Sequence, residues 1–233
     1  MFEAFYVDAL RLFEKLGTKP TYISVTAPGF TGKYVKYSDR FIKRLEATKY
    51  RGISVIGLVA NPPNSDAPSF DRFVSVSFQY DAAGEMIFCA TANSGLGGLR
   101  TLSEGGEIDR WAQRYIWSFG YAFEAPVVTQ PDFYVLGLDN GQLTKREQAA
   151  LSRWYNSDPS TKRSKLRNVY RINFLNEVQL AQNVAPGVTL LEYIQSDEHF
   201  LIRYLGRLMM WELPAHLIAS VAQKLSASGI LIE

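Results

Sequence analysis

Two glycine-rich turns, two histidines and one basic run are the places where this 233-residue chain could do chemistry. Gly29-Phe30-Thr31-Gly32-Lys33 follows an apolar stretch, as a phosphate-binding loop would. A loop that wraps phosphate in backbone N–H groups needs Gly-x4-Gly-Lys-Ser/Thr. Ala27 stands where the leading glycine falls and Tyr34 where the hydroxyl falls, so the segment reads as a structural loop. Asn93-Ser94-Gly95-Leu96-Gly97-Gly98 has Arg100 in place of the third glycine of a dinucleotide fingerprint. Ala92 and Leu96 occupy the glycine positions of a nucleophile elbow centred on Ser94. It reads as a turn before a helix. It is also where a small hydrolase or transferase would gather an anion, with Glu104, Glu107 or Asp109 as its carboxylates.

The histidines are His199 and His216. Their spacing fits no His-x3-His or His/Cys metal pattern. Asp197-Glu198-His199 sets two carboxylates beside an imidazole, which describes an acid–base group or, more simply, a solvated turn. Cys89, between Phe88 and Ala90, is the only cysteine and reads as a small core residue. One thiol excludes a disulfide scaffold and any multi-thiolate metal centre. No catalytic, cofactor or metal motif is complete, so no cofactor is expected. Lys162-Arg163-Ser164-Lys165-Leu166-Arg167 is the densest positive run. It could serve a nucleic-acid-associated regulator through Arg163, Lys165 and Arg167. However, it lacks interleaved aromatics for base stacking, and 25 basic against 23 acidic residues leave only +2. Nucleic acid is therefore the weaker expectation and a polar loop over 157–168 the simpler one.

The elements that must position these residues follow from pattern. At 47% hydrophobic and 13% aromatic, the chain can form a sizeable core, burying about 70% of its unfolded surface at this length. Phe2, Phe5, Tyr6, Ala9, Leu10, Phe13 and Leu16 recur at helical spacing until Gly17. Tyr22–Thr26 reads as a strand, Ser38 caps a helix burying Phe41, Ile42 and Leu45, and Ile53–Val59 is a near-continuous apolar strand. Asn61 to Arg72 is a proline-rich loop. Val74, Val76, Phe78 and Tyr80 alternate with polar residues, Asp81–Gly84 turns, and Met86–Ala92 returns as a hairpin. Ile108, Trp111, Ala112, Tyr115, Ile116 and Phe119 form a helical stripe expected to pack over that sheet.

Pro126 and Pro131 bracket a connector, and Phe133–Leu138 reads as a strand. Thr144-x-x-Glu147 and Thr189-x-x-Glu192 are capping boxes; the first opens a helix with Ala150, Leu151, Trp154 and Tyr155 inward. Val169–Phe174 is a further strand. Phe200–Trp211 fits strand or helix, Pro214 opens a helix running to Gly229, and Ile230–Ile232 closes as a strand. Strands come in groups, which favours α+β: mainly antiparallel sheets with helices packed on one side. The organisation is one globular unit over 1–233, with candidate sub-halves 1–125 and 126–233.

The opening Met1-Phe2-Glu3-Ala4 is acidic where a signal peptide is basic, and no apolar run approaches the ~18 residues of a membrane span. The expectation is a cytoplasmic protein without a membrane partner.

Gly120-Tyr121-Ala122-Phe123, Leu166-Arg167-Asn168-Val169-Tyr170-Arg171-Ile172-Asn173-Phe174-Leu175-Asn176 and Gly206-Arg207-Leu208-Met209-Met210-Trp211-Glu212-Leu213-Pro214 form a pattern spanning roughly 120–233. It resembles bacterial immunity proteins of polymorphic-toxin and type VI secretion systems, in the α+β group paired with restriction-endonuclease-like toxins. The resemblance implies a cytoplasmic, non-enzymatic protein that binds one cognate toxin stoichiometrically, and it transfers no catalytic residue. A toxin-binding surface would sit on the irregular loops 28–34, 61–72 and 157–167, with Tyr34, Phe70, Asp71, Arg72, Arg163, Lys165 and Arg167 as contact residues.

Overall fold

The computed structural model describes residues 2–62, 73–80, 84–104, 106–125, 134–135, 137, 141 and 143–232. The chain divides into two compact units, the first reaching Thr101 and the second running from Leu102. Both are α+β, and every strand pairing within their sheets is antiparallel.

In the first unit, α1 (Phe2–Lys15) is followed by β1 (Tyr22–Ala27), β2 (Phe30–Thr31), β3 (Val35–Lys36), α2 (Asp39–Ala47), β4 (Val55–Ala60), β5 (Val74–Tyr80) and β6 (Met86–Ala92). The sheet order is β2-β1-β4-β5-β6, with β3 also on β1. Period-2 alternation sorts its faces. Ile23, Ile56, Leu58, Val76 and Phe78 register on one face, where Phe2 and Phe5 of α1 meet Phe78 at 5.0 and 5.2 Å between ring centroids. The other face carries Ser24, Gly57, Ser77 and Cys89 in cross-strand register, with Ser75 beside Thr91. Cys89 is buried, as its apolar neighbours predict. Ser38 caps α2 as expected, but of that helix only Leu45 is buried; Phe41 and Ile42 are half-buried.

The second unit contains α4 (Glu107–Arg114), preceded by α3 (Gly98–Glu104), which crosses the boundary. Then come β7 (Gly120–Ala122), α5 (Lys145–Asn156), α6 (Pro159–Ser164), β8 (Ile172–Leu175), α7 (Glu177–Leu180), β9 (Asn183–Ala185), β10 (Val188–Thr189), α8 (Leu190–Gln195), β11 (Leu201–Leu205), β12 (Leu208–Glu212) and α9 (Ile218–Ala227). Its main sheet runs β11-β12-β8-β7. Trp211 and Met209 on one face join Leu190 and Ile194 of α8 and Val221 and Leu225 of α9 in one buried cluster. Both capping boxes form: Thr144 with Glu147 at the start of α5, and Thr189 with Glu192 at the start of α8.

Several elements depart from the sequence expectation. The stripe Ile108–Phe119 is helical only to Arg114, because Tyr115 turns extended (φ −108°, ψ 142°). The run Tyr-Ile-Trp that follows is β-branched and aromatic, which weakens a helix. Trp117 packs edge-on to Phe174 of β8 at 5.7 Å and Phe119 to Trp154 of α5 at 5.6 Å, so these rings pack within the second unit. Ile116 is left 84% exposed. The expected loop 157–168 contains α6, capped by Asp158 and opened by Pro159. Phe200–Trp211 is a hairpin. Ile230–Ile232 contributes only a parallel bridge from Leu231 to Leu166, and Tyr155 faces solvent. Tyr134 and Val135 are helical; the rest of the expected strand 133–138, Gly137 apart, the connector prolines, the 81–83 turn and residues 63–72 lie outside the described residues. Among the described residues no helix is long and apolar enough to cross a membrane.

Candidate functional site

Arg167, expected at a contact surface, is instead buried, with 8% of its surface exposed. Its Nη1 donates to the Tyr121 hydroxyl at 2.6 Å and the Val135 carbonyl at 3.2 Å, and its Nη2 donates to the Tyr134 carbonyl at 2.5 Å. The guanidinium lies 4.0 Å from the Tyr134 ring centroid, 5.5 Å from Trp154 and 5.7 Å from Tyr121. Tyr121 stacks on Tyr170 at 4.3 Å, and the Tyr134 and Tyr170 hydroxyls share a 2.9 Å hydrogen bond. Burial pushes the Tyr170 hydroxyl well above the ordinary tyrosine range. Among the described residues no carboxylate touches Arg167; carbonyl oxygens and aromatic faces hold the cation. It is an internal strut, and it is unavailable to a partner.

The other expected contact residues are scattered. Arg163 is exposed and Lys165 half-buried around the end of α6. Tyr34 is half-buried in the first unit, its hydroxyl 3.3 Å from where a side chain on Gly57 would begin, a close approach that a larger residue there would crowd. Phe70, Asp71 and Arg72 lie outside the described residues. The glycine turn is a short 3-10 helix, Ser94–Leu96, whose Gly95 N–H is taken by Asn93 Oδ1 at 2.8 Å. The carboxylates proposed to work with it belong to the second unit, apart from one another in role. Glu107 is buried and ion-paired with Arg110, Asp109 is 2.8 Å from Arg203, and Glu104 is exposed.

What spacing in the sequence could not show is that both histidines line one cleft. An opening of about 320 Å³ lies beside β11, β12 and the 3-10 turn Ala215–Leu217, with Arg171, His199, Leu201, Glu212, Pro214 and His216 on its walls. Asp197 Oδ1 accepts from the His199 backbone N–H at 3.0 Å and lies 2.9 Å from its Nδ1. These bonds, the backbone one first, hold the Asp197 carboxyl below the usual carboxylate range. Arg171 pairs with Glu212 at 3.3 Å. The Arg171 and Glu212 charges are therefore balanced within the wall. The Asp197–His199 pair is oriented as an imidazole that moves a proton would be. Among the described residues no group of three His, Cys, Asp or Glu converges as a metal site.

Beside this cleft runs β11, the outermost strand of its sheet. Leu201 is 61% exposed and Tyr204 65% exposed. Leu201 belongs to both the strand and the cleft wall. Because side chains alternate along a strand, Leu201 is exposed on the face that carries the cleft and Tyr204 on the opposite face, so each side of this edge strand presents one large side chain to solvent. Comparison with protein-family models, with curated proteins and with solved structures finds no match to this chain.

Proposed function

We propose that this protein works by gripping another polypeptide: that it is an immunity protein which neutralises a cognate secreted bacterial toxin, a nuclease effector of type VI secretion in the first instance, through one-to-one inhibition in the cytoplasm. One observation supports the reading most: the exposed β11 flank, with Leu201 and Tyr204 in solvent beside a polar cleft. A regular strand left unpaired at the edge of a sheet, with open backbone donors and acceptors, is a template for another polypeptide. The resemblance over residues 120–233 supplies the class of partner. The test is co-expression with the product of the neighbouring reading frame. A stable complex and rescue of growth are expected. No complex and no rescue would remove the reading.

A second reading draws on the Asp197–His199 pair, which would let the cleft act as an acid–base site on a small substrate. It predicts that a His199→Ala/His216→Ala variant loses function while its fold and its partner complex persist. Neutralisation unchanged in that variant counts against it.

A further inference from the structure

The parity of the β11–β12 hairpin fixes which backbone groups of β11 point away from its sheet. Leu205 and Leu208 flank the two-residue turn Gly206-Arg207 and so form a hydrogen-bonded pair. Counting back by twos, Arg203 pairs in the same way with Met210, and Leu201 with Glu212. The far side of β12 agrees, because Leu213 N–H donates to the Arg171 carbonyl at 2.9 Å, which turns the odd-numbered residues of β12 toward β8. Ile202 and Tyr204 therefore direct their N–H and C=O groups outward, and among the described residues no backbone group bonds to them. The strand is regular, with no bulge or proline to blunt its edge, and its one charged side chain, Arg203, is drawn to Asp109. Three of its five residues are exposed, whereas most of β6, the outer strand of the first unit's sheet, is half-buried.

Charge points to the occupant. The charged side chains of β11 and its turn, residues 201–207, are Arg203 and Arg207. Arg203 is met by Asp109, but Arg207 is exposed without a partner among the described residues. A second copy pairing antiparallel about Arg203 would set two guanidiniums directly across from each other, which is unfavourable. We infer that β11 accepts an added strand from the partner, an extended segment bearing Asp or Glu, hydrogen-bonded to Ile202 and Tyr204 and meeting Arg207 at the turn. This rests on the partner-binding reading, and its test does not use the toxin, so either can fail alone.

The probe is a capped eight-residue peptide alternating Val and Glu, with a Val/Lys peptide as its counterpart; the readout is amide hydrogen exchange at Ile202 and Tyr204. A dissociation constant of about 1 mM gives about three-quarters occupancy at about 3 mM peptide and slows both amides about fourfold. The Lys peptide is expected to leave them unchanged, and Arg207→Glu to reverse the preference. Tyr204→Pro removes an outward N–H without touching a β11–β12 bond and should abolish the slowing at Ile202. No slowing with the Glu peptide, or equal slowing with both peptides, overturns the inference. So does slowing that grows with protein concentration alone, which would make the occupant a second copy. The two-peptide comparison on the unaltered chain decides the matter even where a variant does not fold.

Discussion

Replacing Arg167 by methionine tests whether the buried cation strengthens the second unit or merely occupies it. Methionine keeps much of the length and apolar bulk of the side chain, so cavity formation is small. It leaves the Tyr134 and Val135 carbonyls without their donors, at about 1–3 kcal/mol for each that stays buried. The cation–π contact with Tyr134, at 4.0 Å, is worth about 1–2 kcal/mol when desolvated. Against these losses stands relief from keeping an ion out of water, several kcal/mol in its own right. Because three hydrogen bonds and the aromatic rings compensate the ion, the balance should fall at about 2–4 kcal/mol of lost stability for Arg167→Met. Arg167→Lys should lose a comparable amount, since an ammonium cannot reproduce the fork. Urea unfolding followed by tryptophan fluorescence reads the difference. A methionine variant as stable as the parent, or more so, would refute the argument, showing that desolvation outweighs the cage.

Trp211→Ala should cost about 3–5 kcal/mol, because the ring is fully buried against Phe200 at 5.4 Å. Trp211→Phe should cost clearly less, since the indole N–H it removes has no partner among the described residues; equal losses by chemical denaturation would contradict this. Thr189→Ala deletes the hydroxyl that accepts from the Glu192 N–H at 3.2 Å and should lower stability by about 1 kcal/mol, with Thr189→Asp restoring most of it in the same assay. Burial raises the Tyr6, Tyr50, Tyr170 and Tyr193 hydroxyls above their ordinary value. A raised folded-state value means the contribution is intact below about pH 10 and fades as pH climbs past it. Urea midpoints should therefore drop as the pH rises from about 10 to 11.5, and Tyr170→Phe should lessen the drop; a midpoint unchanged with pH in that window would argue that these hydroxyls ionise freely.

The local elements were legible wherever one short-range rule governed them. Ser38, Thr144 and Thr189 announced their helices because a cap is a contact between residues three apart. The β5–β6 hairpin was legible because its period-2 alternation has one burial solution. The failures share a cause. Tyr115, Ile116 and Phe119 continued a helical stripe in sequence, yet the chain turns extended at Tyr115, and Trp117 and Phe119 beyond it meet partners far along the chain, Phe174 and Trp154. Arg167 looked like one more surface cation because nothing nearby revealed Tyr121 or Tyr134 waiting 46 and 33 residues away. The histidine cleft was hidden for the same reason. His199 and His216 come together only because β11 and β12 fold back between them, and Phe200–Trp211 does not declare its strand state alone.

The two-residue length of the Gly206-Arg207 turn carries more than connectivity. Gly206 adopts φ +61°, a conformation that few side chains share, and this keeps the loop at its minimum. One residue inserted there, with β12 held in place, would slide β11 by a single position against its neighbour. Leu201, Arg203 and Leu205 would then present their amides to the outside, Tyr204 would swing to the opposite face, and Ile202 would leave the buried cluster it packs against. Insertions at this corner should therefore be selected against more strongly than at other solvent-exposed bends, even though a side chain begun at Gly206 would meet nothing among the described residues.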